Sequence, residues 1–486
     1  MKIEKIRPRT VVTTDGEVDD MNSMLRQLLY TNDMDLAGIV LTSSTYHYAG
    51  NGKDIEPYRW TGTKWLYDFL EDYESVYENL KAHDENYPDP AFLKSHSFIG
   101  NISNVGEMDE VTPGSQFLKQ LFLDNDPRTL YVQTWGGTNT TARALKSIQE
   151  EYENTDQWEE IQKKIYEKVV LYIILDQDDS YETYIAKVWP QLQILNDCSN
   201  FWHFAYAWQL HSDELNDTLH APWFLENIVK GEIGKNYALI GDGRTVEGEL
   251  DEEQRGWDSY LQANPNYVPY DFISEGDTPS FMYLVDVGLR SLEDPGFGGW
   301  GGRFGKVDKK TYKNIVADYN PYAKRYEANY SLTRWMHDFN YDFANKIAWT
   351  LSKEGGHYRP EIEIEPGLDL KVQPGQKVTL KAIVKDKQNL PLTCSWWRYF
   401  EADTYMDSDK GAKLLEQKID GLLMDLVGAS EEAEGLDSIK IEHPNAFEMS
   451  FTVPEDGKPG QSIHMICEVR NPYLVSYARI ICTIDN

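Results

Sequence analysis

The sequence predicts an α/β protein, an open and mostly parallel sheet with helices on both faces, followed by a C-terminal β-sandwich. Three observations lead there. Short apolar runs rich in β-branched residues alternate with segments of helical spacing along the N-terminal part of the chain. Unusual polar clusters follow those runs, where ligand-binding residues sit at the carboxyl ends of parallel strands. Beyond Gly355 the pattern changes to alternating residues broken by Pro-Gly turns.

RTVVTTD, from Arg9, reads as a buried strand, and DDMNSMLRQLLYTND, from Asp19, as the helix after it, with Met21, Met24, Leu25 and Leu28 at helical spacing. LAGIVLTSS is the next strand. The rhythm recurs as LYVQTWGG into NTTARALKSIQEEYEN, VVLYIILDQDD into YETYIAKVWP, and LQILND into NFWHFAYAW. Asp15 to Asp20, Ser43 to His47, Gly136 to Thr141 and Asp176 to Asp179 then fall at strand ends, so the topology should bring them to one crevice. A helical stretch, SLTRWMHDFNYDFANKIAWTLSKEGG, precedes EIEIEPGLDLKVQPGQKVTLKAIV, whose alternation marks a boundary near Gly355 to Pro360. We therefore expect domains at 1–356 and 357–486. TCSWWRYF, FEMSFTV, HMICEVR and YARIICTI suggest a sandwich of immunoglobulin-like size, and GASEEAEGLD an acidic surface loop within it. Neighbouring residues of a strand point to opposite faces, so only one of Trp396 and Trp397 can enter the sandwich core.

A chain of 486 residues exceeds the roughly 250 to 300 at which a single core stops growing, in keeping with two domains. Lys and Arg total 47 against 80 Asp and Glu, and the net charge of -33 disfavours nucleic acid and anionic membrane surfaces. No apolar run approaches the ~20 residues of a membrane helix. A neutral or cationic partner is favoured. Sugars fit, because 14 Trp and 31 Tyr supply flat apolar faces with hydrogen-bonding tips, although most such rings serve cores. Four cysteines without a CxxC pair exclude a zinc ribbon. No signal-peptide core precedes the first strand, which points to a cytoplasmic protein, or to a secreted or periplasmic one whose leader has been removed. A homo-oligomer is compatible with all of these patterns.

The most informative stretch is TTDGEVDDM, Thr13 to Met21. Carboxylates packed this closely repel one another unless water screens them or a cation lies among them. Asp19 or Asp20 could simply cap the following helix. The alternative is a hard cation held by oxygens, calcium rather than zinc because no His or Cys accompanies them, with magnesium as the other choice.

DGEVDDM resembles the DxGxDDA signature of the nucleoside hydrolases, which also follows a first strand. The resemblance implies calcium at Asp15 and Asp20, with Asp15 also activating the metal-bound water and Asp19 near the ribose hydroxyls. GGTNTTARAL, Gly136 to Leu145, is similar to the family's GPLTNLALAL segment and implies a calcium-binding backbone carbonyl at Asn139. EGDTPSFMYLV resembles its HDP segment, implying Asp277 as the last metal ligand. Together with VGEMDEVTPGS, the DQDDSY turn, GGWGGRF and SWWRYFEADTY, these segments look like the bacterial family of cellulose-binding, nucleoside hydrolase-like proteins, which implies the same calcium-site fold followed by an immunoglobulin-like domain. Two positions depart from the nucleoside hydrolases. Thr13 stands where they have a further Asp, and Gly276 where they have the histidine that helps a base leave.

The expectation is thus a calcium-dependent hydrolase of a glycosidic bond in a carbohydrate or glycoside, with Asp15 as base. His47, Asp178 and Glu275 are candidates for the acid, and Glu107, Asp19 and Trp300 for substrate binding. Each has a plainer reading. His47 beside tyrosines can be a structural hydrogen-bonder, Asp178 a ligand of sugar hydroxyls or a cap of the next helix, and Trp300 a ring packed in a Gly-rich turn. The alternatives for the whole protein are a non-catalytic, calcium-dependent binder of a cellulose-like glycan, an N-ribosyl hydrolase, and a scaffold whose metal is structural.

Overall fold

The computed structural model describes residues 6–405 and 437–485, so the predicted loop GASEEAEGLD lies, but for Asp437, outside the described residues. Its centre is an eight-stranded sheet. In chain order the strands are β1 (Arg9–Thr14), β2 (Asp35–Leu41), β3 (Ser97–Ile99), β4 (Leu130–Thr134), β5 (Val169–Ile174), β6 (Gln193–Asp197), β7 (Gly305–Lys306) and β8 (Thr311–Lys313). Their spatial order is 3-2-1-4-5-6-8-7, with every pairing parallel except that of β7 with β8. All six residues of β1 are buried, and its two valines face opposite ways. Val12 packs with Met24, Leu25 and Leu28 of helix α1 (Val18–Leu29). Val11 packs with the helices of the other face.

On the first face α1 is joined by α2 (Lys64–His83) and by a long helix at Met336–Leu351. A small helix, α3 (Pro90–Ser95), closes that side. The second face carries α4 (Pro113–Leu123), α5 (Asn139–Tyr152) and α6 (Trp158–Lys168). The predicted helix after β1 stops at Leu29 rather than Asp33. Its last residues fold into turns whose Asn32 and Asp33 bind Lys346 of the long helix at 2.5 and 2.8 Å. YETYIAKVWP forms a single π-helical turn and a three-residue helix, and NFWHFAYAW only a four-residue helix followed by turns. Both end early because their aromatic residues are recruited into cores. Among the described residues no helix is long and apolar enough to cross a membrane.

At the amino ends of the strands Asp124 gathers Arg9 of β1 at 2.6 Å and Lys168 at the end of α6. Burial opposes ionisation, but hydrogen bonds from Arg9 and Lys168 outweigh it and hold the carboxyl at about 2. A depressed carboxyl stabilises the fold above the unfolded value near 3.8 and loses that effect as pH falls through the folded one. Asp124→Asn should therefore cost about 1–2 kcal/mol near neutrality, after allowance for partial exposure, and almost nothing near pH 2. Urea unfolding of both proteins across that range checks it.

Two further strands, β9 (Asp318–Asn320) and β10 (Arg325–Glu327), form a ribbon before the long helix. The C-terminal part holds β11 (Glu361–Glu365), β12 (Asp369–Val372), β13 (Lys377–Lys385), β14 (Thr393–Arg398), β15 (Ile441–Glu442), β16 (Glu448–Thr452), β17 (Ser462–Arg470) and β18 (Val475–Ile484). They make two four-stranded sheets, ordered 11-13-16-15 and 12-18-17-14, with a shared apolar core. All pairings are antiparallel except that of β12 with β18.

Trp396 lies in the sandwich core, and Trp397 points the other way, onto Trp335 and Tyr399. That second face is the junction with the α/β unit. Tyr399, Ile466, Val475 and Tyr477 belong to the same cluster as Leu289, Trp335 and Phe339. Arg470 grips Asp338 of the long helix with two hydrogen bonds of 2.5 and 2.8 Å, and β18 adds backbone bonds from Tyr477 and Arg479 to Val287 and Gly288.

Candidate functional site

The chain leaves β1 for β2 and β3 on one side of the sheet and returns to β4 on the other. Strand order therefore reverses between β1 and β4, the place where an open α/β sheet leaves a crevice. A cavity of about 200 Å³ lies there, lined by residues that follow β1, β4, β5 and β6. Its floor is acidic. Asp15, Asp19, Asp20 and Asp277 all line it, and none is more than 9% exposed.

Gly16 makes the turn that brings these groups together. It holds φ at +78°, and a Cβ there would lie 2.8 Å from Thr61 and from Trp65. Glu17 is the N-cap of α1 and its side chain makes no capping bond, so neither Asp19 nor Asp20 serves as the cap. Thr14 and the backbone N–H of Asp15 donate to Asp20 Oδ1, and Ser274 donates to Asp19 Oδ2 at 3.4 Å. Asp277 arrives from the opposite direction, ahead of a short helix at Thr278–Met282.

One oxygen each from Asp19, Asp20 and Asp277 lie within 4.8 Å of one another. Burial, reinforced by the neighbouring negative charges, pushes Asp20 and Asp277 well above the usual carboxylate range and Asp19 up to about 8. Asp277 Oδ2 and Asp15 Oδ2 are buried without a hydrogen-bond donor. Oxygen-only donors, mutual repulsion and unsatisfied acceptors together fit a hard divalent cation and do not fit zinc. The trio brought together is Asp19, Asp20 and Asp277. The expected set was Asp15, Asp20 and Asp277 with the Asn139 carbonyl.

Asp15 stands beside the trio with a different partner. His47 is fully buried, its Nδ1 3.7 Å from both Asp15 Oδ2 and Glu17 Oε2 and its Nε2 3.6 Å from Glu249 Oε2. Burial disfavours the imidazolium, but these carboxylates outweigh it and raise the ring to about 10. The charged ring in turn keeps Asp15 below its ordinary value, against burial, which acts to raise it. His47 is thus an ion-pair partner of Asp15 near neutrality.

The other sequence candidates lie outside the cavity lining. Glu275 is enclosed by Arg26 at 2.6 Å, Thr278 at 2.6 Å and the Tyr237 hydroxyl, and so supports the backbone ahead of Asp277 instead of facing the site. Asp178 accepts the backbone N–H of Asn139 at 2.9 Å and the Thr138 hydroxyl at 3.2 Å, so it ties down the start of α5, whose N-cap is Thr138, rather than facing the cavity. Asn139 itself spends its side chain on Thr42, Ser43 and the main chain of Asn101 and Glu107. Glu107 accepts the N–H groups of Asp109 and Glu110 and pins that turn. Trp300 is 1% exposed and packs on Phe339, with the Arg359 guanidinium 4.8 Å over its ring. Trp397 does not line the cavity either.

Residues the sequence reading passed over complete the walls. Tyr46, Arg59, Trp202, Tyr206, Glu253 and Arg255 line the cavity, as does Glu17 from the motif itself. Tyr206 donates to Glu17 at 3.0 Å, and Arg59 forks onto Glu249 at 2.6 and 2.9 Å. Trp202 and Tyr206 were signalled by NFWHFAYAW following a strand. Arg59, Glu249 and Arg255 sit in long segments with no periodicity to mark them. At Gly276 a Cβ would lie 2.9 Å from Asp19 Oδ2 and 3.4 Å from Ala205.

The reversal of strand order at β1 and β4, an acidic turn after the first strand and an aspartate arriving from a late short helix define a nucleoside hydrolase-like α/β protein. Residues 9–304 match the family model "Cellulose-binding Sde182, nucleoside hydrolase-like domain", and the chain belongs to that family. Residues 377–484 match the model "Cellulose-binding protein Sde0182, C-terminal domain". A solved structure of a nucleoside hydrolase-related protein from Saccharophagus degradans, associated with carbohydrate metabolism, shares the fold. It aligns at 22% identity and a TM-score of 0.70 over 99% of this chain and 100% of that one. The effector protein XOO4466 aligns at 10% identity and a TM-score of 0.33, over 64% of this chain and 88% of that one, too weakly to bear on the argument. No curated protein matches the chain.

Proposed function

We propose that the protein is a calcium-dependent hydrolase acting on a glycosidic bond of a carbohydrate. The observation behind this reading is the pairing, on one cavity floor, of a cation-ready carboxylate trio with a separate buried carboxylate, Asp15, whose Oδ2 accepts no hydrogen bond and lies 3.7 Å from His47. Asp19, Asp20 and Asp277 would hold the cation, which would supply a positive charge able to grip sugar hydroxyls and polarise water. Asp15 is the base toward that water, and its negative charge also favours the oxocarbenium character that develops at the anomeric carbon. His47 positions Asp15 from behind, with Glu249 and Arg59 fixing the ring's far side. Trp202, Tyr206 and Tyr46 offer ring faces and hydroxyls to the sugar.

A second reading, a calcium-dependent glycan-binding protein without turnover, is favoured by one feature. Neither Glu275 nor Asp178 reaches the cavity to protonate a leaving group. The family's description as cellulose-binding agrees with either reading. With glycine at 276, the histidine that would assist a nucleobase is gone, so nucleosides are poor substrates on this proposal. Assays of aryl glycosides, oligosaccharides, inosine and uridine, with calcium and with chelator, separate the cases. We expect calcium-dependent glycoside cleavage and little nucleoside cleavage. Tight sugar binding without turnover supports the second reading, and fast inosine hydrolysis overturns both.

A further inference from the structure

We propose that the segment between Thr45 and Arg59 is a preformed platform for the outer units of a neutral glycan whose terminal unit enters the cavity, so that the protein engages chain ends rather than chain interiors. This rests on the reading of the cavity as a sugar site. At about 200 Å³ the cavity is smaller than the roughly 300–1,000 Å³ of sites for drug-sized ligands. It has room for one sugar ring, and its floor is closed by buried carboxylates. Any further unit must lie outside, against whatever forms the mouth.

The mouth is formed in part by this segment, which leaves the carboxyl end of β2 and turns back on itself. Tyr48 and Tyr58 exchange both backbone hydrogen bonds, at 3.1 and 3.0 Å, and their rings stack at 5.7 Å. The segment is fastened to the body at three places. Thr45 N–H donates to the Gln177 carbonyl at 2.9 Å, Ala49 N–H to the Ile102 carbonyl at 2.8 Å, and Arg59 forks onto Glu249. A surface held this firmly loses little entropy on binding. Tyr46 lines the cavity and is 44% exposed, and Tyr58, next in sequence to the lining residue Arg59, is 40% exposed with one ring face stacked on Tyr48, so the segment carries exposed aromatic surface from the cavity wall.

The chemistry of this path selects its occupant. Tyrosine rings meet the C–H faces of sugars while their hydroxyls meet sugar hydroxyls. The acidic floor and a net charge of -33 disfavour anionic polymers. A neutral β-glucan suits both conditions and agrees with the family's description as cellulose-binding. The plainer function of the stacked pair, stapling the turn, predicts an effect on stability and none on chain-length preference.

Calorimetric titration of the full chain in calcium with glucose, cellobiose, cellotetraose and a cyclic β-glucan tests the proposal. We expect cellotetraose to bind at least about tenfold more tightly than glucose, a difference of ~1.4 kcal/mol. The cyclic glucan, having no end, should bind far more weakly than cellotetraose. Tyr58→Ala should bring the cellotetraose-to-glucose affinity ratio toward one, and Tyr46→Ala, which leaves the stacked pair intact, should lower it as well. Equal affinity for glucose and cellotetraose, an unchanged ratio in both variants, or full binding of the cyclic glucan overturns the platform. Those outcomes leave the cavity's reading intact if glucose binding still requires calcium and Asp277. If none of the sugars binds, or Asp277→Asn binds glucose as the unaltered chain does, the reading of the cavity fails and the platform falls with it.

Discussion

Asp277→Asn should abolish the stabilisation that calcium gives the folded chain and, at the same time, raise the melting temperature of the calcium-free protein. The two effects share one cause. In the absence of a cation Asp19, Asp20 and Asp277 are buried side by side, with Asp277 Oδ2 unsatisfied, which disfavours the folded state. Asparagine keeps the shape and removes a carboxyl that, without a cation, must be buried either charged beside its neighbours or protonated well above its usual range. It also removes a ligand on which the cation's affinity depends. A cation present at 100 to 1,000 times its dissociation constant adds ~2.7 to ~4.1 kcal/mol to the folded state, enough to move a melting transition by several degrees. Scanning calorimetry of both proteins, with calcium and with chelator, is the check. A variant that still gains several degrees from calcium would place the cation elsewhere.

Asp15→Asn should lower turnover about 10²- to 10⁴-fold, the usual worth of a general base, while the calcium response persists. The separation follows from geometry, because Asp15 stands outside the tight trio and has His47 as its partner. A structural role for Asp15 would instead weaken calcium and sugar binding along with rate. Rates on the best glycoside, calcium titration and sugar affinity should therefore be measured on one preparation. Loss of all three in parallel would count against Asp15 as the base.

Much of the architecture was legible in the chain itself. β1 and α1 announced themselves because Val11, Val12, Leu25 and Leu28 obey the two periods of strand and helix, and the crevice followed from where the polar clusters fell. The sandwich was equally plain, down to the opposite orientations of Trp396 and Trp397. Helix α2 was not, although Leu66, Leu70, Tyr73, Val76 and Leu80 are buried at helical spacing. Exposed Tyr67 and half-buried Phe69 widen its apolar stripe and blur the pattern.

The site divided in the same way. TTDGEVDD displayed the acidic floor because its residues are neighbours in sequence. Glu275 misled because it adjoins Asp277 in sequence, yet its spatial partner, Arg26, arrives from α1, 249 residues away. The bond from Arg59 to Glu249 joins residues 190 apart in irregular segments, and nothing local marks either one.

Gly276 bears on how such a chain can change over generations. With Asp19 Oδ2 lying 2.9 Å from where a Cβ would stand, any side chain at 276 obliges the Asp19 carboxylate to turn aside. The clashing atom is the far end of a flexible side chain, so a single substitution can be absorbed there, and it would move one of the three oxygens that now lie within 4.8 Å of one another. Position 276 is therefore a place where one mutation can retune the spacing of the trio without touching any of its members.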